Sequence, residues 1–440
     1  MKTANMPEIT LYLFSNDLRL SDNSALQAAI DDAHENNNAL LCLYALEPHL
    51  FNRTGNQSPA MGAARWQFLM ASVSDLKNNL NNQQMDLTVS TLGWVDAIEA
   101  AADEFTIKSI HVSATAGFYE RQAIETISQK YPVKTHDNQS LYVLSELPMT
   151  LNELPKHFTP FRKRVEKTDL PAVSATPQRW PDSQRSCIDR WSELSAHASV
   201  EGSQFKGGET AGLAHLNQYM ASDLPSSYKK VRNELMGWSH STKFSPWLAW
   251  GCVSPRQIMQ QLRQYEAERG ANESTYWIFF ELLWREFFHW NGLKQGSRLF
   301  HSKGSDVATS KTPKACEKFI DWSKGHTGVP LIDACMRQLN QSGYMSNRGR
   351  QIAASYLIND AGVDWRLGAA YFEQQLIDYD VASNWGNWQY IAGVGADPRG
   401  GRHFNIEKQQ KTHDPKGHFV KRWAEYDVTT QSVRPSYVLS

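Results

Sequence analysis

The sequence predicts an α/β N-terminal domain built on a doubly wound parallel sheet, followed by an all-α C-terminal domain. Three observations carry that expectation. At 440 residues the chain exceeds what one hydrophobic core usually serves. Short β-branched and apolar runs alternate with helical patterns over the first 140 residues and then cease. Tryptophan is segregated: of fifteen, only Trp66, Trp94, Trp180 and Trp191 precede residue 201, so whatever requires indole belongs to the second part.

The strand candidates are ITLYLFS (9–15), ALLCLYAL (39–46), DLTVSTL (86–92), SIHVSA (109–114) and VKTHDN (133–138). Amphipathic segments such as AARWQFLMASVSDLKNNL separate them, and strand-helix-strand alternation implies parallel pairing with helices on both faces. The first domain is therefore drawn at 1–140. Neither GxGxxG nor GxxxxGK[ST] follows the first strand, so no dinucleotide or P-loop fingerprint says what it binds. From 141 to 205 the pattern fails, and six of the eighteen prolines fall there, which predicts an interdomain connection running over a surface. Beyond it, STYWIFFELLWREFFHWNGL and RGRQIAASYLINDAGVDWRLGAAYFEQQLIDYD are helical, making 206–440 an all-α domain.

Charge and cysteine narrow the function. Lys and Arg number 45 against 46 Asp and Glu, so no global field draws in nucleic acid or an anionic membrane, and any basic site must be local. The five cysteines form no CxxC pair and no metal-ligand spacing, so neither a metal site nor a disulfide framework is expected. MKTANMPEIT has no apolar signal core, and no run is long enough to span a membrane; a cytoplasmic location is expected.

Several constellations stand out. Glu281, Trp284 and Arg285 share one helical face, as do Asn347, Arg350 and Gln351; Asp378 and Asp380 follow a third helix. An ion pair inside a core accounts for such residues as readily as a ligand site does. An Arg facing an Asp beside a planar heteroaromatic would tune that ring's charge. In HSTKFSPWLAWGCVSPR, Ser241 and Thr242 precede Ser245-Pro246, a helix start whose free N–H groups suit phosphate, with Tyr228, Lys230 and Arg232 upstream. DYDVASNWGNWQYIAGVG sets large aromatics among Asn384, Asn387 and glycines; it reads as a loop whose small residues let the backbone approach a ligand.

TKFSPWLAWGCVSPR, FELLWREFF, TGVPLIDACMRQL, MSNRGRQIAASYL and NWGNWQY, in that order, resemble the photolyase/cryptochrome family and, in detail, its DASH-type cryptochromes. The resemblance implies an FAD-binding catalytic domain at 206–440, light-driven electron transfer to a DNA photolesion, and a 5,10-methenyltetrahydrofolate antenna between the domains. It assigns Tyr228, Ser241, Thr242, Phe244, Ser245 and Arg285 to FAD, Arg350 and Asp378 to the isoalloxazine, Asp380 close by, and Asn384 to flavin N5. Asn suits N5 because its amide is both donor and acceptor. Glu120 matches the carboxylate that holds the pterin.

By the same resemblance Trp388 and Trp365 are the first two members of an electron relay. The third position falls at about Thr312, where ATSKTPKACEK has no aromatic, so the usual surface exit is missing. Trp284 and Tyr390 form lesion-pocket walls, with Glu281, Asn347 and Gln351 on its polar edges. Between Asp397 and Arg422, seven Lys/Arg face three acids, and Arg162, Lys163 and Arg164 form a second basic run; both suit phosphates.

The expected activity is repair of cyclobutane pyrimidine dimers by a monomer acting on single-stranded DNA, with RNA a second candidate polynucleotide. The rival is a blue-light receptor that binds FAD and nucleic acid but signals through a partner. The sequence ends at VRPSYVLS without a long polar extension, which favours the enzyme. Repair of the six-four photoproduct is disfavoured, since those relatives look to histidine chemistry where this chain has Asn347 and Gln351.

Overall fold

A computed structural model describes residues 6–47, 61–195, 204–303, 314–397 and 399–424. Thr312 and the C-terminal VRPSYVLS lie outside the described residues. Five parallel strands, β1 (Glu8–Phe14), β2 (Ala39–Ala45), β3 (Leu87–Ser90), β4 (Thr106–Ser113) and β5 (Val133–His136), form one sheet in the order β3-β2-β1-β4-β5. The helices between them are α1 (Ser24–Glu35), α2 (Ala63–Asn81), α3 (Trp94–Ala102) and α4 (Phe118–Ser128). Side chains alternate across β1: Ile9, Leu11 and Leu13 join the core under α3, whereas Tyr12 and Phe14 face the core shared with the helical domain. A sheet buried on both faces explains why its strands read as continuous apolar runs.

The strand order reverses between β1 and β4, where doubly wound sheets usually bind ligands. Here that crevice is filled from within. Asp17 accepts hydrogen bonds from Tyr12 and Ser113, each at 2.5 Å, and Asn138 donates to Ser113 and Asn23 at 3.0 and 2.8 Å. Arg19, fully buried, donates to the Asn138 carbonyl at 2.7 Å and across the domain boundary to the Gly251 carbonyl at 2.9 Å. Glu209 accepts from the Leu20 and Ser21 amides, and Arg256 pairs with Asp22 at 3.0 Å. The absence of a nucleotide fingerprint thus has a structural counterpart.

The connection is more than a surface strap. It carries α5 (Phe158–Val165), whose Phe158, Phe161 and Val165 are buried, and α6 (Trp191–Leu194), while Leu40 bridges Ser183 beside the sheet. Buried Glu286 anchors its start, accepting from the Leu141 and Tyr142 amides at 2.8 and 3.2 Å and from Trp290 at 2.8 Å.

Among the described residues no strand lies beyond 206. The helical domain comprises α7 (Glu209–Ala221), α8 (Tyr228–Val231), α9 (Ser245–Ala249), α10 (Pro255–Arg269), α11 (Glu273–Gln295), α12 (Glu317–Lys324), α13 (Pro330–Ser342), α14 (Asn347–Ser355), α15 (Trp365–Gln375), α16 (Val381–Ala392), α17 (Ile406–His413) and α18 (His418–Ala424). The long segment 348–380 is not one helix: α14 passes into a π turn at Tyr356–Asp360 and stops at Gly362, whose φ of 68° breaks the run before α15.

The loop expected in DYDVASNWGNWQYIAGVG is instead the helix α16. Asp380 caps it, accepting from the Ser383 amide at 2.7 Å, and Gly393 ends it at φ 75°. Its small residues serve neighbouring helices: a Cβ on Gly386 would sit 2.4 Å from Phe288 of α11. Reciprocally, a Cβ on Gly368 of α15 would meet Trp388 at 2.2 Å. Close helix packing, rather than approach of bare backbone to a ligand, explains the composition.

Two apolar cores meet in this domain. One runs from the sheet through α7, α10 and α11; the other gathers α13, α14, α15 and α16 around Trp322 and Trp388. Tyr228, Phe244 and Leu282 of the first core face Met345 of the second across a cavity.

Candidate functional site

The cavity has an outer lobe of about 1220 Å³ and an inner lobe of about 550 Å³, which share Arg350, Asp378, Asp380 and Ser383. The outer lobe is lined by Tyr228, Ser241, Thr242, Phe244, Ser245 and Arg285, all six expected from the sequence. The short α9 opens with Ser245-Pro246 at this wall. Asn384 and Trp388 of α16 line the inner lobe. The Asn384 amide donates to the Ala369 carbonyl at 3.0 Å, which leaves its oxygen and second N–H for a guest.

Arg350 donates to Asp378 at 2.7 Å and to the Met345 carbonyl at 2.8 Å. The Asp378 side chain is 1% exposed, and its Oδ1 is buried without a hydrogen-bond partner among the described residues. A buried carboxylate oxygen left open on a ligand-sized cavity calls for a donor from the guest. Cationic Arg350 and Lys243, with the hydroxyls of Ser241, Thr242 and Ser245, suit a dianionic pyrophosphate group, and the apolar inner lobe suits a flat heteroaromatic. The residues present therefore fit FAD.

Glu281, Trp284, Asn347, Gln351 and Tyr390 come together around a second cavity, of about 870 Å³. Trp284 and Tyr390 meet edge to face at 5.8 Å and 81°, forming a right-angled aromatic corner. Gln351, Ser383 and Asn387 line both this cavity and the inner lobe, so the two chambers share a wall. Glu281 accepts from Arg232 at 2.5 Å and from the Trp277 indole at 3.2 Å. Burial raises the Glu281 carboxyl above its usual range against the opposing pull of Arg232.

That pairing corrects the sequence reading of Arg232 as part of a phosphate cradle: its guanidinium turns to Glu281 and lies over the Trp277 ring at 5.0 Å. Arg402, counted among the basic residues facing outward, turns inward. It pairs with Asp397 at 3.0 Å and donates to the Tyr390 hydroxyl, holding that ring in place. Arg285 donates to the Gln139 carbonyl at 2.7 Å while lining both cavities. Glu120 lines none of these three chambers; it is half-buried in the first turn of α4, close enough to Arg65 and Tyr379 for its charge to act on both. Trp365 pairs with Trp385 at 5.8 Å, whereas the rings against Trp388 are Phe372 at 5.1 Å and Trp322 at 6.2 Å.

Some lining residues carried no sequence signal. Phe158, from the connection, stacks on Trp284 at 3.7 Å and 11° and so covers one face of the wall. Lys243 adopts φ 57° beside the outer lobe and donates to Tyr344. Ser383 and Asn387 flank Asn384 inside the quoted motif and follow from helical spacing once α16 is known.

Comparison with known proteins agrees with this geometry. A family model described as DNA photolyase matches residues 10–180, and one described as FAD binding domain of DNA photolyase matches 277–430. The chain is 45% identical over 430 residues to the cryptochrome DASH of Vibrio parahaemolyticus, covering 96% of this chain and 95% of that one. It is 44% identical to the cryptochrome DASH of Idiomarina loihiensis, covering 94% and 92%. The crystal structure of a Synechocystis cryptochrome superposes with a TM-score of 0.86 at 37% identity, covering 96% of this chain and 89% of that one. With an FAD-binding helical domain, an α/β domain whose switch point is internally filled, and relatives matched over nearly its whole length, the chain belongs to the photolyase/cryptochrome family, among its DASH-type cryptochromes.

Proposed function

We propose that the protein is a light-driven lyase that splits cyclobutane pyrimidine dimers in DNA, preferentially in single strands. The observation that carries the reading is the second cavity: an aromatic corner with Glu281, Asn347 and Gln351 around it, sharing a wall with the lobe that suits the flavin ring. Core packing accounts for an aromatic pair but not for an acid and two amides converging on an open chamber beside it.

Bound and reduced, FAD supplies on excitation an electron to the dimer. The chain's residues do the rest. Trp284 and Tyr390 replace the stacking that the dimer loses on leaving the strand. Phe158 behind Trp284 and Arg402 behind Tyr390 keep both walls in position. Glu281, its carboxyl raised by burial, donates a hydrogen bond to a pyrimidine carbonyl when protonated, and that bond strengthens as negative charge develops there. Arg350 and Asp378 hold the flavin's ring edge, Asn384 its N5 side, and Tyr228 with the Ser241–Ser245 segment the rest of the cofactor.

The single-strand preference follows from wall size. A tyrosine at 390 and a glutamine at 351 offer less apolar stacking area than tryptophan and methionine would. Extracting a dimer from a closed duplex costs a few kcal/mol that a single strand mostly escapes. RNA carrying a dimer would meet the same chamber. Glu120, between the two domains, supports a 5,10-methenyltetrahydrofolate antenna, and the protein acts as a cytoplasmic monomer. No helix among the described residues is long and apolar enough to cross a membrane.

The test is repair by the flavin-loaded protein under near-ultraviolet light, at matched salt, of a dimer in a single strand, a closed duplex and a duplex with an unpaired bubble. Single strand and bubble should be repaired well and the closed duplex poorly. Equal rates on closed duplex and single strand would refute the preference. No repair of any substrate by photoreducible protein would point to the receptor reading. An absorption spectrum of the purified protein separates flavin from folate.

A further inference from the structure

Resting on the reading of the inner lobe as the flavin site, we infer that photoreduction draws its electron through Trp388 and Trp322, with Tyr371 as the outlet to solvent, rather than through Trp365. Trp322 of α12 contacts Trp388 edge to face at 6.2 Å and 80°. Around it stand Tyr371 at 5.8 Å, Phe372 at 5.9 Å and Phe319 at 6.1 Å. Trp322 is fully buried, whereas Tyr371 and Phe319 are half-buried, so an aromatic path leads from the inner lobe to the surface. The other branch is weaker on this geometry. The ring contact of Trp365 is Trp385, with no Trp365–Trp388 ring contact among the described residues, and the outer position reached by sequence spacing is Thr312, which is not aromatic.

The electrons balance with one co-reactant, a thiolate. Trp388 gives one electron to the light-excited oxidised flavin and becomes an indole radical cation. Trp322 refills it and takes over the positive hole. A thiolate at the protein surface then supplies one electron to Trp322 across the Tyr371 ring and leaves as a thiyl radical. No covalent bond forms or breaks, and no proton moves within the chain.

The surroundings of Trp322 also fix the character of the radical. Its indole N–H donates to the Ala353 carbonyl at 3.1 Å, an acceptor too weak to remove the proton, and no water-facing edge is available. The Tyr371 hydroxyl lies 2.6 Å from Asn340 Oδ1 and 2.9 Å from the Ser323 carbonyl, neither of which is a base, and burial pushes the phenol's pKa upward. Tyr371 therefore keeps its proton and conducts without holding the radical. The long-lived species is a protonated tryptophan radical cation, unlike the neutral radical that a solvent-exposed terminal tryptophan would form.

Transient absorption and time-resolved EPR of the flavin-loaded full chain, with dithiothreitol as the thiol, test this. Trp322→Phe should lose the microsecond radical cation and slow photoreduction by roughly tenfold or more, while Trp365→Phe keeps both within about twofold. Tyr371→Leu should leave the radical yield intact and slow its quenching by thiol severalfold. If Trp322→Phe does not retain flavin, Trp365→Phe alone decides: an unchanged radical supports the route, and a lost one overturns it. A deprotonated radical in the unsubstituted protein would likewise overturn it. Failure of the unsubstituted protein to bind flavin would instead sink the assignment of the inner lobe, and repair of DNA enters none of these readouts.

Discussion

Removing Arg350 should destabilise the protein chiefly through the charge it leaves behind. Its guanidinium lies 2.7 Å from Asp378, whose side chain is 1% exposed, while Arg350 is 25% exposed. At that separation two unit charges in a medium of effective dielectric about 20 attract by roughly 6 kcal/mol, most of it offset by desolvation of the pair. Arg350→Ala strands the carboxylate, for which the cost of breaking a buried pair is about 3–5 kcal/mol. Asp378→Asn leaves a neutral acceptor for Arg350 and should cost only about 1–2 kcal/mol. The double substitution buries no charge and should also cost about 1–2 kcal/mol, making it more stable than Arg350→Ala alone. Urea unfolding of all four proteins gives the coupling energy. Protein and FAD concentrations must be held fixed, because bound cofactor adds stability by mass action. A coupling below about 0.5 kcal/mol would show that the two residues act independently and would refute the reasoning. The Arg350→Ala protein should also retain less FAD than the Asp378→Asn protein, measured by absorbance after gel filtration.

Three further outcomes are expected. Glu281→Ala should lower repair per absorbed photon by roughly tenfold and affinity for the dimer by less than about threefold, because the hydrogen bond matters most as charge develops; comparable losses would make Glu281 a binding group only. Tyr390→Trp with Gln351→Met should raise closed-duplex repair severalfold and leave single-strand repair nearly unchanged; the gain is bounded by about 1–3 kcal/mol of stacking and reduced by the hydroxyl that Arg402 loses, and an unchanged duplex rate would remove wall size as the cause. Glu286, with its carboxyl raised by burial to about 7 from an ordinary 4.5, holds a proton in the folded state that the unfolded chain has already released over that window. Stability should therefore fall by about 3 kcal/mol as pH rises from 4.5 to 7 and then level off, a slope that Glu286→Gln should flatten in thermal unfolding; parallel pH profiles for the two proteins would contradict this.

Local signals carried the sheet and most helices. The runs at 9–15 and 39–46 are apolar at nearly every position because β1 and β2 are covered on both faces, and the α2 pattern follows its burial. Where a reading failed, a long-range contact had overridden local appearance. Asn, Gly and Trp in α16 look unhelical until Phe288 and the α15 backbone are seen to occupy the space that larger side chains would fill. Candidate site residues were legible where one helical face gathered them, as with Glu281, Trp284 and Arg285. Their partners were not: Arg232 stands 49 residues from Glu281, and Phe158 reaches Trp284 from a proline-rich connection with no helical periodicity to announce it. Arg402 shows the same limit, since composition counts its charge but cannot see Asp397 neutralising it.

The filled crevice at the strand-order reversal makes the two halves poor candidates for independent modules. A fragment ending before residue 206 would keep Arg19 buried but take away the Gly251 carbonyl, and would leave Asp22 without Arg256 and the Leu20 and Ser21 amides without Glu209. During synthesis the sheet emerges first, with its polar bolt half-made, and waits until the chain has grown past residue 256 for its acceptors and counter-charges. The N-terminal half is thus a platform whose completion is deferred to its neighbour. Attempts to express it alone, or to exchange it between relatives without the loop at Gly251 and the start of α10, should yield insoluble chains even though every strand is intact.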